Sequence, residues 1–234
     1  MALPKVARPE YSTTIPSTGK KIKYQPFSVK EEKVLVLAAE SEDMDEISNA
    51  ISNVLTNCVT TAGFDPSTLA LFDIEFLFLR ARAKSIGETI NLSITDPNDP
   101  TYTVEHEVNI DSIKVKKFEG HSDLIDINDE VKIKMGYPGL AFFSEGLKID
   151  TINESTETVA KCVSSIVIDE EVYTSADMST EEIVEWLDGL TTEQYSKIMK
   201  FFETMPKLTH TIKLKNRNTG ENFEVVLEGL ADFF

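Results

Sequence analysis

The residues that could do chemistry in this 234-residue chain are few and widely separated. Its histidines are His106, His121 and His210, and its cysteines are Cys58 and Cys162. The sequence has no Gly-rich phosphate loop, Cys-x-x-Cys pair, His-Glu-x-x-His helix or nucleophile elbow, and nothing in it pairs a nucleophile with a base. We therefore expect no enzyme activity, no cofactor and no metal site.

The same five residues fit ordinary structural roles. His106 and His210 fall at inward positions of alternating strand patterns, where hydrogen-bonded histidines are common, and His121 falls in a polar loop. Cys58 lies on the apolar face of a predicted helix and is far in sequence from Cys162. We expect buried free thiols rather than a disulfide.

Three adjacent acids, Asp169, Glu170 and Glu171, come nearest to a metal-ligand cluster. They lie in a predicted strand over residues 166–172, where neighbouring side chains point to opposite faces of the sheet. A metal ion would need other ligands to converge on them. We assign no metal to them.

The net charge of −17 disfavours binding to nucleic acid and to anionic membrane surfaces. Residues 145–193 hold thirteen acids and two lysines, and this stretch is either solvated helix surface or a surface for a basic partner. With 41% hydrophobic residues the chain can bury a core in one domain or in two small ones. It shows no leader-like apolar segment and no run long enough to span a membrane, so we expect a soluble protein.

The most apolar stretch, residues 64–87, predicts a long central helix around which the other elements are arranged. Asp65 suits its N-cap, Pro66 its first turn and Gly87 its end. Apolar residues fill two arcs of this helix, so it must be covered on two sides. Either this chain supplies both covers, or another subunit supplies one.

Five charged residues separate the two apolar arcs of the predicted helix. At 100° per residue Asp73, Arg80 and Lys84 fall on one line, and Glu75 and Arg82 fall on nearly the opposite line. Asp73 with Arg80 and Glu75 with Arg82 form the two possible couples. We interpret each couple as a solvated ion pair rather than as catalytic groups.

The other elements have clear local signals. Spaced prolines predict an extended N-terminal arm in which residues 11–15 and 20–24 pair as a hairpin. Capping residues begin helices at Ser28, Asp43, Ser179 and Thr191. A period of two predicts antiparallel strands over residues 89–94, 102–110, 112–118 and 131–135, and a closing β-hairpin that turns at residues 216–220.

These elements predict an α+β fold. Its parts are an N-terminal extended arm and helices with a long buried central helix, an antiparallel β-sheet middle, and a C-terminal helical hairpin plus β-hairpin. We divide the chain into residues 1–27, 28–135 and 136–234, with the best boundary at the Gly and Pro cluster 136–139. Whether these parts form one domain or two is left open.

Both chain ends are more apolar than one core of this size requires. The C-terminal residues 229–234 either dock internally or serve as a peg for a partner. We predict partner contacts through aromatic and aliphatic side chains of the arm, the C-terminal helical hairpin and the C-terminus: Tyr11, Ile15, Tyr24, Phe27, Trp186, Leu230, Phe233 and Phe234.

Several segments, taken together and in order, carry a resemblance to a known family. They are MALPK at the start, Tyr11, IPSTG at 15–19, KIKY at 21–24, PFSVKEEK at 26–33 and GLADFF at 229–234. In these segments the chain resembles, over essentially its whole length, the baseplate hub subunit family of T4-type contractile-tailed bacteriophages. Some relatives have a Cys-x-x-Cys-Gly turn in the last hairpin, suggestive of a metal knuckle. Here NRNTG occupies residues 216–220, so that role does not carry over.

The resemblance implies a non-enzymatic structural or assembly role, in the virion baseplate or in the host cytoplasm during assembly. It implies other baseplate hub proteins and the tape-measure protein as partners, and a homo-oligomer stays open. Two alternatives remain. A transient assembly chaperone, absent from the mature particle, would use the acidic stretch to hold a basic client. An enzyme without a recognisable motif would need a cleft with converging polar groups near His106 or Cys58.

Overall fold

A computed structural model of the protein describes residues 6–142, 152–169 and 171–233. The chain forms two compact units. Unit 1 comprises Met1–Lys116 and Lys207–Phe234, and unit 2 comprises Lys117–Pro206. Helices and small antiparallel sheets alternate along the described residues, which confirms the predicted α+β class.

Unit 1 begins with the hairpin of β1 (Tyr11–Thr14) and β2 (Lys21–Tyr24), followed by helices α1 (Val29–Ser41) and α2 (Met44–Cys58). Tyr11 pairs with Tyr24 in antiparallel register, as predicted. The predicted capping box at Ser28 and the predicted cap at Asp43 both form. The side chains of Ser28 and Asp43 accept hydrogen bonds from amides in the first turn of each helix.

The central helix α3 (Leu71–Ser85) is shorter than predicted. Asp65 does cap, accepting a 2.9 Å hydrogen bond from Ser67 N, but it caps a separate 3-10 helix over Pro66–Thr68. Extended backbone at Leu69 and Ala70 separates this turn from α3. Residues on both apolar arcs of α3 are buried within unit 1, which confirms a buried central helix covered by its own chain.

After α3 the chain forms the long hairpin of β3 (Thr89–Asp96) and β4 (Asp99–Asn109). A 3-10 helix over Ile110–Ser112 leads to the short strand β5 (Lys114–Lys116). The predicted strand over residues 112–118 is therefore shortened at both ends.

Unit 2 is a four-stranded antiparallel sheet with three described helices, one of them inserted between the second and third strands. In chain order its elements are β6 (Leu124–Asp126), β7 (Val131–Met135), α4 (Ile152–Lys161), β8 (Val163–Ile168), β9 (Glu171–Thr174), α5 (Thr180–Asp188) and α6 (Thr192–Thr204). The strands lie in this order in the sheet. The predicted helical hairpin is confirmed, with capping boxes at Ser179 and Thr191.

The predicted strand over residues 166–172 is wrong. Ile168 pairs with Glu171, so the chain reverses there and the segment belongs to two strands. Asp169 has a φ of 48°, a left-handed conformation that the short side chain of aspartate tolerates. A turn made by an acid rather than by glycine gave no signal in the sequence.

Unit 2 has its own hydrophobic core. Buried side chains of the sheet meet those of the three helices in one cluster that includes Ile133, Val159, Ile166, Leu187 and Ile198. A core of this kind is what an independently folded unit requires.

The chain returns to unit 1 in the closing hairpin, β10 (Lys207–Lys215) and β11 (Asn222–Glu228), followed by a 3-10 helix over Leu230–Phe233. Lys207 pairs with Lys116 of β5, so unit 2 is an insertion between paired strands. Residues 136–139, the best boundary that the sequence offered, lie inside unit 2. In the described parts of the chain, no helix has the length and apolar character needed to cross a membrane.

Candidate interaction surfaces

Asp73 holds the N-terminal arm against α3. Its side chain is fully buried and accepts a 2.9 Å hydrogen bond from Ser17 N, at the turn of the β1–β2 hairpin. The Ser17 hydroxyl donates a second bond to the other carboxylate oxygen. Two hydrogen bonds from one residue to a buried carboxyl group restrict both position and orientation, so this contact fixes the arm on the helix.

Glu75, two residues further along α3 and on nearly the opposite side of the helix, holds the C-terminal segment. Its Oε1 accepts a 2.9 Å hydrogen bond from the buried Leu230 N. Burial raises the pKa of Glu75 to about 7, although the bond from Leu230 acts in the opposite direction. Gly229 has a φ of 71°, and a Cβ there would lie 3.1 Å from Glu75 Oε1. Glycine therefore permits the close approach of the chain to the carboxylate.

These contacts correct the interpretation of the α3 charges as solvated pairs. Residues seven apart on a helix are separated by roughly 10 Å along its axis. Arg80 instead forms an ion pair with Asp111 and donates a 3.1 Å hydrogen bond to Ile113 O. Asp73 and Glu75 instead accept hydrogen bonds from backbone amides near the two chain ends. The sequence gave one indication of this role, namely that two acids lie within an apolar run.

Five of the predicted contact residues are buried in unit 1 of this chain. In unit 1 these side chains are between 0% and 9% exposed and belong to the core. They are Ile15, Tyr24, Phe27, Leu230 and Phe233. The apolar ends thus complete the cover of α3 rather than leaving surplus surface, and of the two roles considered for the C-terminus, Leu230 and Phe233 dock internally. Phe234 lies outside the described residues.

Tyr11 remains half-buried at the surface and lines a groove of about 590 Å³ between the arm and α3. Lys84 Nζ lies 5.5 Å from the centre of the Tyr11 ring, and Arg80 stacks over Phe76 at 4.7 Å. Both are cation–π contacts. The lining of the groove combines aromatic rings with two bases, Arg80 and Lys84, and two acids, Glu10 and Asp111. Arg80 is paired with Asp111 and Lys84 with Glu88, so the groove is aromatic and its charges are balanced.

Trp186, the predicted contact residue of unit 2, is half-buried and packs against the core of that unit. On the same helix, α5, the side chains of Glu181, Glu185 and Asp188 line a groove with Glu157 of α4. Val184 and Thr180 complete its described lining, which includes no lysine or arginine. The groove, about 520 Å³, therefore offers negative charge around a small apolar centre.

The candidate chemical residues are placed in structural settings. Cys58 and Cys162 are buried free thiols, as predicted, and burial raises their pKa values to about 11 and about 12. A thiol of this kind stays protonated and unreactive at neutral pH. His106 and His210 are half-buried on β4 and β10, and burial lowers the pKa of His210, with the nearby His106 contributing.

His121 has hydrogen-bond partners that the sequence did not indicate. Its ring nitrogens lie 3.0 Å from Thr204 Oγ1 and 2.9 Å from Tyr137 Oη, and its ring stacks on Tyr137. Burial lowers its pKa. The ring thus links the end of α6 to the chain that follows β7, within unit 2.

Hydrogen bonds of the Asn216 side chain stabilise the turn at residues 216–220. The buried Asn216 side chain donates to Asp96 at 2.8 Å and to Asp99 at 3.1 Å, and accepts from Asn218 N at 2.8 Å. It therefore ties the closing hairpin to the β3–β4 turn. Among the described residues, no three His, Cys, Asp or Glu side chains are grouped so that they could hold a metal ion.

The sequence matches a known protein family. The family model described as T4 bacteriophage base plate protein matches residues 8–234, which cover most of unit 1 and all of unit 2. No curated protein and no solved structure matches the chain.

Proposed function

The chain belongs to the family of T4 bacteriophage base plate proteins, and from this we propose that it is a structural or assembly subunit of the baseplate hub of a contractile tail. The proposal rests on the match of the family model from residue 8 to residue 234. It places the protein in the virion, at the tail baseplate, and in the host cytoplasm during assembly.

Its action is non-enzymatic in this proposal, and proceeds through protein–protein contacts. The partners are other baseplate hub proteins, with the tape-measure protein as a further one. Two described surfaces of different character support binding to proteins. The groove beside Tyr11 in unit 1 is aromatic with balanced charges, whereas the α4–α5 groove in unit 2 contains four acids.

Mass spectrometry of purified mature particles tests the structural role. A retained subunit is expected in fixed stoichiometry with the other baseplate proteins. Absence of its peptides from particles, with the protein present in infected cells, would contradict a structural role in the virion.

The acidic α4–α5 groove favours a second candidate, a transient chaperone for a basic hub or tape-measure client. Charged surfaces of one sign increase the rate and selectivity of association with partners of the opposite sign. In that case the protein is missing from particles but is captured with its client from infected cells.

Charge reversal tests the groove under either candidate. Glu185→Lys with Asp188→Lys changes two exposed acids at the end of α5, where lysine is compatible with the helix dipole. We expect capture of the hub partner to fall about tenfold, which corresponds to ~1.4 kcal/mol. Glu130→Lys with Glu203→Lys makes the same charge change on exposed residues of unit 2 outside this groove. Equal loss in both variants would assign the effect to net charge and not to the groove.

A further inference from the structure

His121 joins the two segments through which the chain enters and leaves unit 2. It belongs to residues 117–123, here called the entry segment, none of which lies in a helix or strand. Its ring nitrogens lie 3.0 Å from the hydroxyl oxygen of Thr204, the last residue of α6, and 2.9 Å from Tyr137 Oη. A segment without regular backbone pairing depends on tertiary contacts of this kind for its order.

The hydrogen bonds around the ring determine which nitrogen carries the proton. The Thr204 hydroxyl donates to Lys200 O at 2.7 Å, so toward His121 it can only accept. Nδ1 is therefore the donor in this pair. In the neutral ring Nε2 is then the acceptor, and the Tyr137 hydroxyl donates to it. The same arrangement excludes His121 as a base for Thr204, because Nδ1 already carries a proton.

The ring is half-buried among aromatic side chains of unit 2. Its centre lies 5.7 Å from that of Tyr137 and 5.1 Å from that of Phe201, which is 2% exposed. Burial lowers the pKa of His121, although nearby Asp123 acts in the opposite direction. Exposed charged side chains also lie on the entry segment, on β7 and near the end of α6: Lys117, Glu119, Lys134, Lys200 and Glu203.

We propose that His121 is a pH-responsive clasp, which is closed when its ring is neutral and loosened when its ring is protonated. A protonated ring donates at both nitrogens, so the Tyr137 hydroxyl can no longer donate to Nε2 and must turn its proton away. The partly buried site then also holds a charge. Protonation therefore weakens the link between the entry segment and Tyr137, whereas the bond from Nδ1 to Thr204 persists.

The direction of the pH effect follows from the burial of the ring. Because the pKa of His121 is lowered from 6.5 when the clasp is closed, the open state binds the proton more tightly. The clasp stabilises the entry segment fully above pH 6.5, and this contribution is lost as the pH falls through the lower pKa of the closed state. Such a clasp does not depend on the baseplate role proposed above.

Nuclear magnetic resonance of the imidazole nitrogens in the full chain tests the tautomer and the titration. At about pH 7.5 the proton is expected on Nδ1, and His121 should titrate below pH 6.5. A proton on Nε2 would contradict the hydrogen-bond assignment. A pKa at or above 6.5 would show that Asp123 and the aromatic rings stabilise the charged ring, and would overturn the proposal.

Hydrogen exchange measures the opening of the clasp. The amides of His121 and Met135 report on the entry segment, because they donate to Phe118 O at 3.3 Å and to Asp123 O at 2.8 Å. Their protection, corrected for the intrinsic effect of pH on exchange, should fall about fivefold between about pH 7.5 and about pH 5.5. Protection that stays constant over this range would mean that protonation of His121 does not open the segment.

A matched pair of variants assigns the response to His121. His121→Asn keeps a donor close to the position of Nδ1 but does not titrate, so its protection should not fall over the same pH range. His106→Asn makes the same change at a half-buried histidine of unit 1, and should retain the wild-type response. An equal fall in both variants would assign the response to other titrating groups.

Tyr137→Phe tests the role of Nε2. The change removes the hydroxyl that donates to the neutral ring only, so protection at about pH 7.5 should be lower than in the wild type and should fall less on acidification. A response of wild-type size would exclude the bond between Tyr137 and Nε2 as its source. Circular dichroism of each variant verifies that unit 2 is still folded.

Discussion

Asp73 and Glu75 are acidic residues of the largely apolar helix α3, and their side chains bind distant parts of the chain to it. Each accepts a hydrogen bond from the backbone of a distant part of the chain, 56 residues away for Ser17 and 155 for Leu230. An acceptor placed in a buried site satisfies amide groups that would otherwise be left without a partner. These contacts order the two chain ends, and they cannot be predicted from residue type alone.

Replacement of Glu75 by glutamine is expected to change how stability depends on pH. Because burial raises the pKa of Glu75 from 4.5 to about 7, the folded state binds this proton more tightly than the unfolded state does. The contribution to stability is therefore full below pH 4.5 and is lost as the pH rises through 7, by up to roughly 3 kcal/mol. Glu75→Gln keeps an acceptor for Leu230 N without the charge. It should be more stable than the wild type above pH 7, as measured by urea unfolding.

Glu105→Gln serves as the control, because Glu105 is exposed on β4. Its difference from the wild type should not vary across the same pH range. If Glu75→Gln also shows a constant difference, then the ionisation of Glu75 is not linked to folding.

Substitution of Gly229 tests the approach of the chain to Glu75. Gly229→Ala places a Cβ at positive φ and 3.1 Å from Glu75 Oε1. Gly220→Ala meets a similar positive φ, 78°, but no atom lies within 4 Å of its Cβ. The left-handed conformation costs about 1–2 kcal/mol in both variants, and we expect Gly229→Ala to lose about 1 kcal/mol more. If thermal unfolding shows the same loss of stability in both variants, then the Glu75 side chain moves away from the new Cβ at no measurable cost.

At the scale of elements, the N-terminal hairpin depends on α3 for its stability. An isolated two-stranded hairpin is at best marginally stable, and β1 and β2 have only four residues each. Ser17→Ala removes the hydroxyl donor to Asp73 but keeps the backbone bond. We expect hydrogen exchange of the amides in Tyr11–Thr14 and Lys21–Tyr24 to become several-fold faster.

Ser12→Ala is the matched control for this effect, since Ser12 lies in the same hairpin and is exposed. It should leave exchange in the hairpin nearly unchanged. Equal acceleration in the two variants would mean that Asp73 does not hold the arm.

Helix starts were predictable because their signals are local. The side chains of Ser28, Ser179 and Thr191 each meet an amide three residues ahead or less, so their capping boxes follow from the sequence. The extent of α3 was not predictable in this way. Asp65 and Pro66 mark a helix start correctly, but the chain leaves the helical conformation at Leu69 and Ala70.

The predicted contact residues also show that local sequence does not determine tertiary contacts. Tyr11 and Trp186 are partly exposed, in agreement with a role at a surface, and their contacts with partners remain a proposal. Ile15 and Phe233 have the same apolar character but fill the core of unit 1. Residue type identifies an apolar side chain as one to be buried. It does not identify the surface that buries it.

For the whole molecule, the insertion of unit 2 between paired residues predicts that each unit folds alone. Lys116 and Lys207 are opposite each other on β5 and β10, so the two ends of unit 2 leave unit 1 within about 5.5 Å. Unit 1 with residues 117–206 replaced by a short Gly-Ser linker, and the fragment 117–206, should each show a cooperative thermal transition. A fragment that binds a hydrophobic dye and melts without a transition would show that unit 2 needs the rest of the chain.

The sequence by itself determined the α+β class, the capped helix starts, the paired arm and closing hairpins, and the absence of a recognisable catalytic motif. These depend on periodicity and on contacts between residues close in the chain. Only the tertiary structure decided that Asp73 and Glu75 are buried, that the chain ends complete the core of unit 1, and that residues 117–206 form a separate unit. Each of these depends on contacts between residues far apart in the sequence, such as Glu75 with Leu230. The free energy of such contacts depends on how deeply the polar groups are buried and on which partners they have. Neither is specified by the sequence pattern of a single helix or strand.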